Sequence, residues 1–230
     1  MKSNRKTGII VGVLFIIALA LDLIGRGIYE PVLNAPDFFV SAYANKMQLI
    51  IGILLEFLCA PAIVIIPILL FPILKKHNES IALGYIGFRL LEGVLFFFIV
   101  IGTLTQLSLS QQYMNAGASD VPYFQSLGNS IHAGLEWTTL IYIIVFTLGA
   151  LMFYYLLYIS KLLPRFISAW GFIAATLLLS GSLLGMFGLI PLSKTMLYFG
   201  PPIALNEIVL AVWLIIKGFN SSAIASGSAE

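Results

Sequence analysis

Long apolar runs, not alternating positions, organise this chain. Polar residues divide it into six apolar stretches, at about Gly8 to Ile28, Met47 to Leu74, Ile81 to Leu107, Phe124 to Ile159, Phe166 to Ile190 and Pro201 to Phe219. A helix needs about 20 consecutive apolar residues to cross the hydrocarbon core of a bilayer. In lipid only helices and closed barrels satisfy their own backbone, and the period-2 pattern of a barrel is absent. The pattern therefore predicts an all-α, polytopic transmembrane helix bundle of about six spans. Residues 1–219 read as one helical domain. Residues 220–230 are rich in Ser, Ala and Gly and read as a disordered tail. Spans two and four are longer than a bilayer requires, which predicts tilt or projection beyond it. Pro61, Pro67 and Pro72 predict kinks in span two.

Composition narrows the class further. Of 230 residues, 60% are hydrophobic and 10% charged, with a mean hydropathy of +1.03. A soluble domain carries about 25% charged residues. This balance excludes a soluble enzyme, a nucleic-acid binder and a disordered chain. A net charge of +2 gives no reason to expect a polyanionic partner. Cys59 is the single cysteine, too few for an internal disulfide or a thiolate metal site.

The basic residues set the orientation. Lys2, Arg5, Lys6, Lys75, Lys76, Lys161, Arg165 and Lys217 all fall at one end of a six-span bundle, and Lys46 and Lys194 at the other. Cytoplasmic loops carry the excess of Lys and Arg, so both termini are expected in the cytoplasm. The outer connections are then 29–46, 108–123 and 191–200. A competing reading takes Met1–Lys6, the apolar run and Ala18-Leu19-Ala20 as a cleaved signal peptide. The apolar sequence and the Gly8-x-x-x-Gly12 spacing favour a retained, packed span over that reading.

Charge inside the spans carries the functional information. Asp22, Glu56, Glu92, Glu136 and Glu207 lie within hydrophobic runs, accompanied by Arg26, Arg89, His132 and Asn206. A charge at the bilayer centre costs about 2.5–3.5 kcal/mol on insertion scales, so these groups must face inward and pair, protonate or meet water. At 1.5 Å per residue, Glu56, Glu92, Glu136 and Glu207 each lie roughly 12–18 Å from a membrane surface. The expected arrangement is a polar cavity that opens outward above an apolar plug. Asp22 and Arg26 are four apart, Arg89 and Glu92 three apart, and His132 and Glu136 four apart, so each pair shares a helix face. Glu56 and Glu207 need partners from other helices. Five acids against two arginines leave an excess of carboxylate.

Three functional classes follow. In the first, a small solute or ion is transported with coupling to protons or cations, and Asp22, Arg26, Glu56, Arg89, Glu92, His132, Glu136, Asn206 and Glu207 line its path. In the second, an intramembrane enzyme acts on a lipid or lipid-linked substrate, with His132 as base oriented by Glu136 or Glu92. Its metal variant uses His132, Glu136, Glu56 and Glu207, a carboxylate-rich set suited to Mg²⁺, Ca²⁺ or Mn²⁺. One intramembrane histidine excludes bis-histidine haem, and no resident cofactor is expected. In the third, the protein is a non-catalytic membrane partner or assembly factor. Gly181-x-x-x-Gly185 in span five suits either close helix packing or a homo-oligomer interface.

Several strings are specific beyond hydrophobicity. They are Arg5-Lys6 with Gly12-Val13-Leu14-Phe15, then Gly84-Tyr85-Ile86-Gly87-Phe88-Arg89-Leu90-Leu91-Glu92, and Leu163-Pro164-Arg165-Phe166 through Trp170-Gly171. The last runs from Pro201-Pro202 through Asn206-Glu207 to Trp213 and Lys217-Gly218-Phe219. In these the chain resembles an uncharacterised family of bacterial six-helix integral-membrane proteins, a domain of unknown function. The resemblance implies six spans and the bacterial plasma (inner) membrane, and it carries no activity.

Two outcomes check the topology. Asn78→Cys should resist a membrane-impermeant maleimide applied to intact cells while Asn115→Cys is labelled; the reverse pattern contradicts the orientation. N-terminal sequencing of the purified protein should not begin at Leu21, as cleavage after Ala20 would require.

Overall fold

The computed structural model describes residues 2–116 and 120–226. Among them are α1 (Lys2–Leu33), α2 (Phe38–Ala44), α3 (Lys46–Leu74), α4 (Glu79–Met114), α5 (Val121–Ser160), α6 (Arg165–Met186), α7 (Leu192–Phe199), α8 (Pro201–Ile216) and α9 (Ser221–Ser226). No strand occurs among the described residues. Five helices (α1, α3, α4, α5 and α6) are long and apolar enough to cross a membrane, and α8 is a shorter apolar helix. The protein is an all-α bundle of about six spans, as the apolar runs predict. α3 stays a single helix through Pro61, Pro67 and Pro72.

The six helices form a closed circuit. α1 packs on α3, α3 on α4, α4 on α5, α5 on α6, and α6 on α8, which returns to α1. Short connections make successive long helices antiparallel, so an even number closes with every neighbour antiparallel. Closure is fixed at the end that carries the N-terminus. The Arg5 guanidinium donates to the carbonyls of Leu214 (3.0 Å), Ile215 (2.7 Å) and Ile216 (2.8 Å). These are carbonyls of the last turn of α8, which lack helical partners. A cation there also meets the negative end of the helix dipole. The expected pairing of both chain ends at one face holds.

Side chains fill the interior of the circuit. Towards the terminal end, Tyr85 of α4 stacks on Phe153 of α5 at 4.9 Å, and Phe153 on Phe15 of α1 at 6.2 Å. Leu70, Leu156, Leu157 and Leu162 are fully buried around them. Aromatic rings of α1, α4 and α5 make this end of the interior largely apolar. Farther out, Phe96 meets Tyr142 edge-on at 5.2 Å. The lipid-facing surface is itself apolar: Ile101, Phe98, Ile173 and Ile216 are among its exposed side chains, as a bilayer solvent requires.

Small residues set the helix spacing. A Cβ on Gly25 would lie 2.8 Å from the Gly52 carbonyl oxygen, and one on Gly52 would lie 2.9 Å from that of Gly25. α1 and α3 therefore touch backbone to backbone at this crossing. The small face of α6 is covered within the chain: Gly171 faces the Tyr154 ring of α5, and Gly181 and Gly185 face Phe199 and Thr195 of α7. Of the two expectations for this face, close helix packing describes these contacts.

The tail differs from expectation. Residues 221–226 are helical, with Ala223 buried and Ile224 packed on the core. Asn220 holds this segment down, its backbone N–H donating to the Leu162 carbonyl at 2.9 Å. An apolar Ala-Ile pair against Phe219 gives the segment something to bury, which low charge and small residues conceal. Residues 227–230 of the expected tail lie outside the described residues.

The Gly25–Gly52 crossing generates a prediction. Gly52→Leu should destabilise the detergent-solubilised protein by about 1–3 kcal/mol, the range for overpacking. Gly27→Ala, whose Cβ would meet nothing within 4 Å, should not. Equal thermal unfolding of the two would contradict the close approach.

Candidate arginine–carboxylate site

The crossing at Gly25 and Gly52 brings α1 and α3 close enough for their polar side chains to meet. Arg26 follows Gly25 by one residue, and Glu56 lies one helical turn beyond Gly52. Arg26 Nη2 is 3.5 Å from Glu56 Oε1. On its own helix, Arg26 Nε donates to Asp22 Oδ1 at 2.9 Å, and Nη1 lies 3.6 Å from Glu30 Oε1. One guanidinium thus serves three carboxylates. Exposure falls along this group, from 48% for the Glu30 side chain through 19% for Asp22 and Arg26 to 1% for Glu56. A graded polar path leads from the surface to a fully buried carboxylate.

A second cluster lies deeper, towards the terminal end. Arg89 Nη1 meets both oxygens of Glu92 at 3.2 and 3.1 Å, and Nη2 lies 4.0 Å from Glu207 Oε1 on α8. α4 and α8 are not neighbours in the helix circuit, so this ion pair crosses the interior. The Arg89 guanidinium also lies 5.4 Å from the Tyr85 ring centroid and 5.1 Å from that of Phe146. A planar, weakly hydrated guanidinium can use ring faces and carboxylates together, which an ammonium does less well. Arg89 and Glu92 are buried. Cys59 of α3 is buried, its thiol donating to the Ala18 carbonyl of α1 at 3.4 Å, and Tyr142 of α5 is buried against Phe96.

Sequence reasoning paired Asp22 with Arg26 and Arg89 with Glu92, and gave Glu56 and Glu207 to other helices; the structure has all four relations. It does not gather the whole set. His132 turns to α4 instead of Glu136: its Nδ1 is 3.5 Å from Gln106 Nε2. Glu136 is half-buried and makes no ion pair among the described residues. The α4–α5 register explains this. Gly102 faces Leu135 and Gly149 faces Phe88, so Glu136 lies level with residue 101, about 13 Å outward of Glu92 along the helix. Asn206 serves packing, its Nδ2 donating to the Ile167 carbonyl at 2.9 Å and tying α8 to α6.

The outward-opening cavity is not what the structure displays. Glu56 and Glu92 are each 1% exposed, and a pocket of about 520 Å³ lies instead at the terminal end, lined by none of these residues. Among the described residues, no three His, Cys, Asp or Glu side chains gather to hold a metal ion. The four-ligand set of His132, Glu136, Glu56 and Glu207 is accordingly divided between different neighbours. Three contributors were missed in the sequence. Tyr85 stands four residues before Arg89 on the same face, a legible signal. Phe146 and Tyr142 come from another helix and had none.

Fold and site together define a multi-pass helical membrane protein with two arginine–carboxylate clusters, one partly exposed and one buried. Residues 10–218 match the family model described as Domain of unknown function (DUF4386), and the chain belongs to that family. No curated protein and no solved structure matches it.

Removing a cation should reveal what each cluster costs. Arg89→Met leaves Glu92 and Glu207 buried without their partner and should destabilise by about 3–5 kcal/mol. Adding Glu92→Met and Glu207→Met should recover much of that loss, because an apolar replacement of a whole buried ionic group is often neutral. A single variant as stable as the parent in thermal unfolding would contradict the assigned pairing.

Proposed function

We propose that this protein transports a small solute or ion, coupled to protons or cations, through the interior of its six-helix circuit in the bacterial plasma membrane. One observation carries the reading: in both clusters the carboxylates outnumber the arginine. Arg26 faces Asp22, Glu30 and Glu56, and Arg89 faces Glu92 and Glu207. Buried charge must be balanced, so the surplus carboxylates call for protons or a bound cation. An ion pair kept only for packing would need no surplus. Membrane carriers use such groups by exchanging the balancing ion when helices rearrange.

The two clusters divide the work. Glu30, Asp22 and Arg26 are partly exposed and form the entry side, with Glu56 as the first buried acceptor. Glu92 and Glu207 form the second, with Arg89 held between Tyr85 and Phe146 as a fixed counter-charge. A positively charged cargo fits this acid surplus best, moving in exchange for protons. The aromatic plug of Tyr85, Phe153 and Phe15 blocks the path at the terminal end and must move for passage. The basic asymmetry favours a cytoplasmic location for that end. The acid–base pair of a lipid-acting enzyme has no comparable support, since His132 and Glu136 engage neither cluster.

The experiment uses proteoliposomes loaded at acid pH with an internal pH-sensitive dye. Addition of Na⁺, K⁺ or the organic cation ethidium should, for at least one of them, collapse the pH gradient. Glu92→Gln and Glu207→Gln should each slow the collapse at least tenfold, and Glu136→Gln should leave it unchanged. Gradients indifferent to all three cations, or equal rates in the Glu92 and Glu136 variants, would overturn the reading.

A further inference from the structure

The end of the bundle that carries the N-terminus holds a pocket of about 520 Å³, formed where the α5–α6 turn meets the end of α8. Its lining includes Lys161, Arg165, Lys217, Trp213 and Asn220, with backbone from Leu162 to Pro164 and Gly218. We propose that this pocket binds a phosphate-ester anion, the headgroup of an anionic phospholipid, at the membrane surface.

Charge and local backbone both point to an anion. Among the described residues, three cationic side chains line the pocket and no acid does. Among the described residues, Lys161, Arg165 and Lys217 make no ion pair with any carboxylate. α6 begins at Arg165, and Pro164 before it gives no side-chain cap. The Ile167 N–H donates to the Pro164 carbonyl at 3.0 Å, so the first-turn N–H groups of Arg165 and Phe166 are the ones left beside the cations, with the positive end of the helix dipole behind them. The Arg165 guanidinium is held 5.2 Å over the Tyr158 ring, which restricts it without neutralising it. Arg5, close by, is not available to a ligand, because the last carbonyls of α8 occupy it.

The walls are built, not incidental. Asn220 donates from its backbone N–H to the Leu162 carbonyl at 2.9 Å and from Nδ2 to the Lys161 carbonyl at 3.3 Å. That staples the chain after α8 onto the α5–α6 turn. Leu162, Leu163 and Phe219 are buried beneath and make a rigid floor. Lys161 stands at the end of α5 with φ +55°, the left-handed position that glycine normally fills. A lysine there holds a backbone conformation that its Cβ disfavours.

Surroundings select a lipid as the source of the anion. Phe166 and Ile216 are 59% and 63% exposed next to the pocket, and Phe166 packs edge-on against Trp213 at 6.5 Å. Aromatic residues of this kind sit at headgroup depth. Basic pockets between spans at a membrane surface suit acidic headgroups. A bound lipid would lay its phosphate among the cations and its acyl chains along Phe166 and Ile216. This site stands apart from the arginine–carboxylate clusters, and it holds whether or not the protein is a carrier.

The test compares the full chain with three variants by native mass spectrometry, after exchange into detergent containing phosphatidylglycerol or phosphatidylcholine. The parent should retain one phosphatidylglycerol at least tenfold more than phosphatidylcholine. Lys161→Gly removes one cation while giving the left-handed turn its preferred residue. It should fold at least as stably yet lose severalfold in retention. Lys161→Gln/Arg165→Gln/Lys217→Gln should abolish the preference. Lys75→Gln/Lys76→Gln, which removes two charges from the same end but none from the pocket, should keep it. Inorganic phosphate is the second arm. Thermal stabilisation by millimolar phosphate in the parent but not the triple variant, with no lipid retained, would assign the same pocket to a free phosphate ester. Equal retention of phosphatidylglycerol by parent and triple variant, or equal loss in the Lys75/Lys76 variant, overturns the proposal.

Discussion

Arg89 lies in the interior of a helix bundle that lipid surrounds, and nothing but its own neighbours can stabilise its charge. It meets Glu92 on its own helix, Glu207 across the circuit, and the faces of Tyr85 and Phe146. The stretch of α4 from Tyr85 to Glu92, Phe146 of α5 and Glu207 of α8 are positioned by that requirement. Removing water raises the strength of each contact and the cost of each missing one together. The geometry around Arg89 therefore admits few alternatives. Arg26 repeats the solution nearer the surface with three acids, one of them shared across the α1–α3 crossing.

The rest of the bundle follows from keeping these two cations in place. The Gly25–Gly52 contact lets α1 approach α3 until Arg26 reaches Glu56. Asn206 ties α8 to α6, one residue before Glu207. Arg5 caps the last turn of α8 and closes the circuit. Beneath Arg89 the stacked rings of Tyr85, Phe153 and Phe15 shut the interior. A polar interval bounded by an apolar plug is an arrangement that can hold an ion on one side before a rearrangement releases it on the other.

Much of this was legible in the sequence, for identifiable reasons. Apolar runs of membrane length give the helices directly, since lipid removes the competing backbone solutions. Pairs within one helix, such as Asp22–Arg26 and Arg89–Glu92, are read from spacing because 3.6 residues per turn fixes which positions share a face. The same rule misled at His132–Glu136, where a neighbouring helix offered Gln106 and nothing in the local spacing could say so. Contacts between helices depend on register, which glycine and aromatic packing set. That is why Phe146 and Tyr142 were invisible and why the expected cavity proved to be two filled clusters. The tail was misread because a single Ala-Ile step against Phe219 is too short to register as a hydrophobic pattern.

Under the proposed function, an interior with more carboxylate than arginine holds an exchangeable proton or cation. Infrared difference spectroscopy between acid and alkaline buffer reads this most directly, because a protonated carboxyl in a membrane interior has its own C=O stretch. The account predicts such a band in the parent protein, diminished in Glu207→Gln and in Glu92→Gln and unchanged in Glu136→Gln. A spectrum with no protonated carboxyl at any acidity, and no band replacing it when Na⁺ or K⁺ is added, would contradict it.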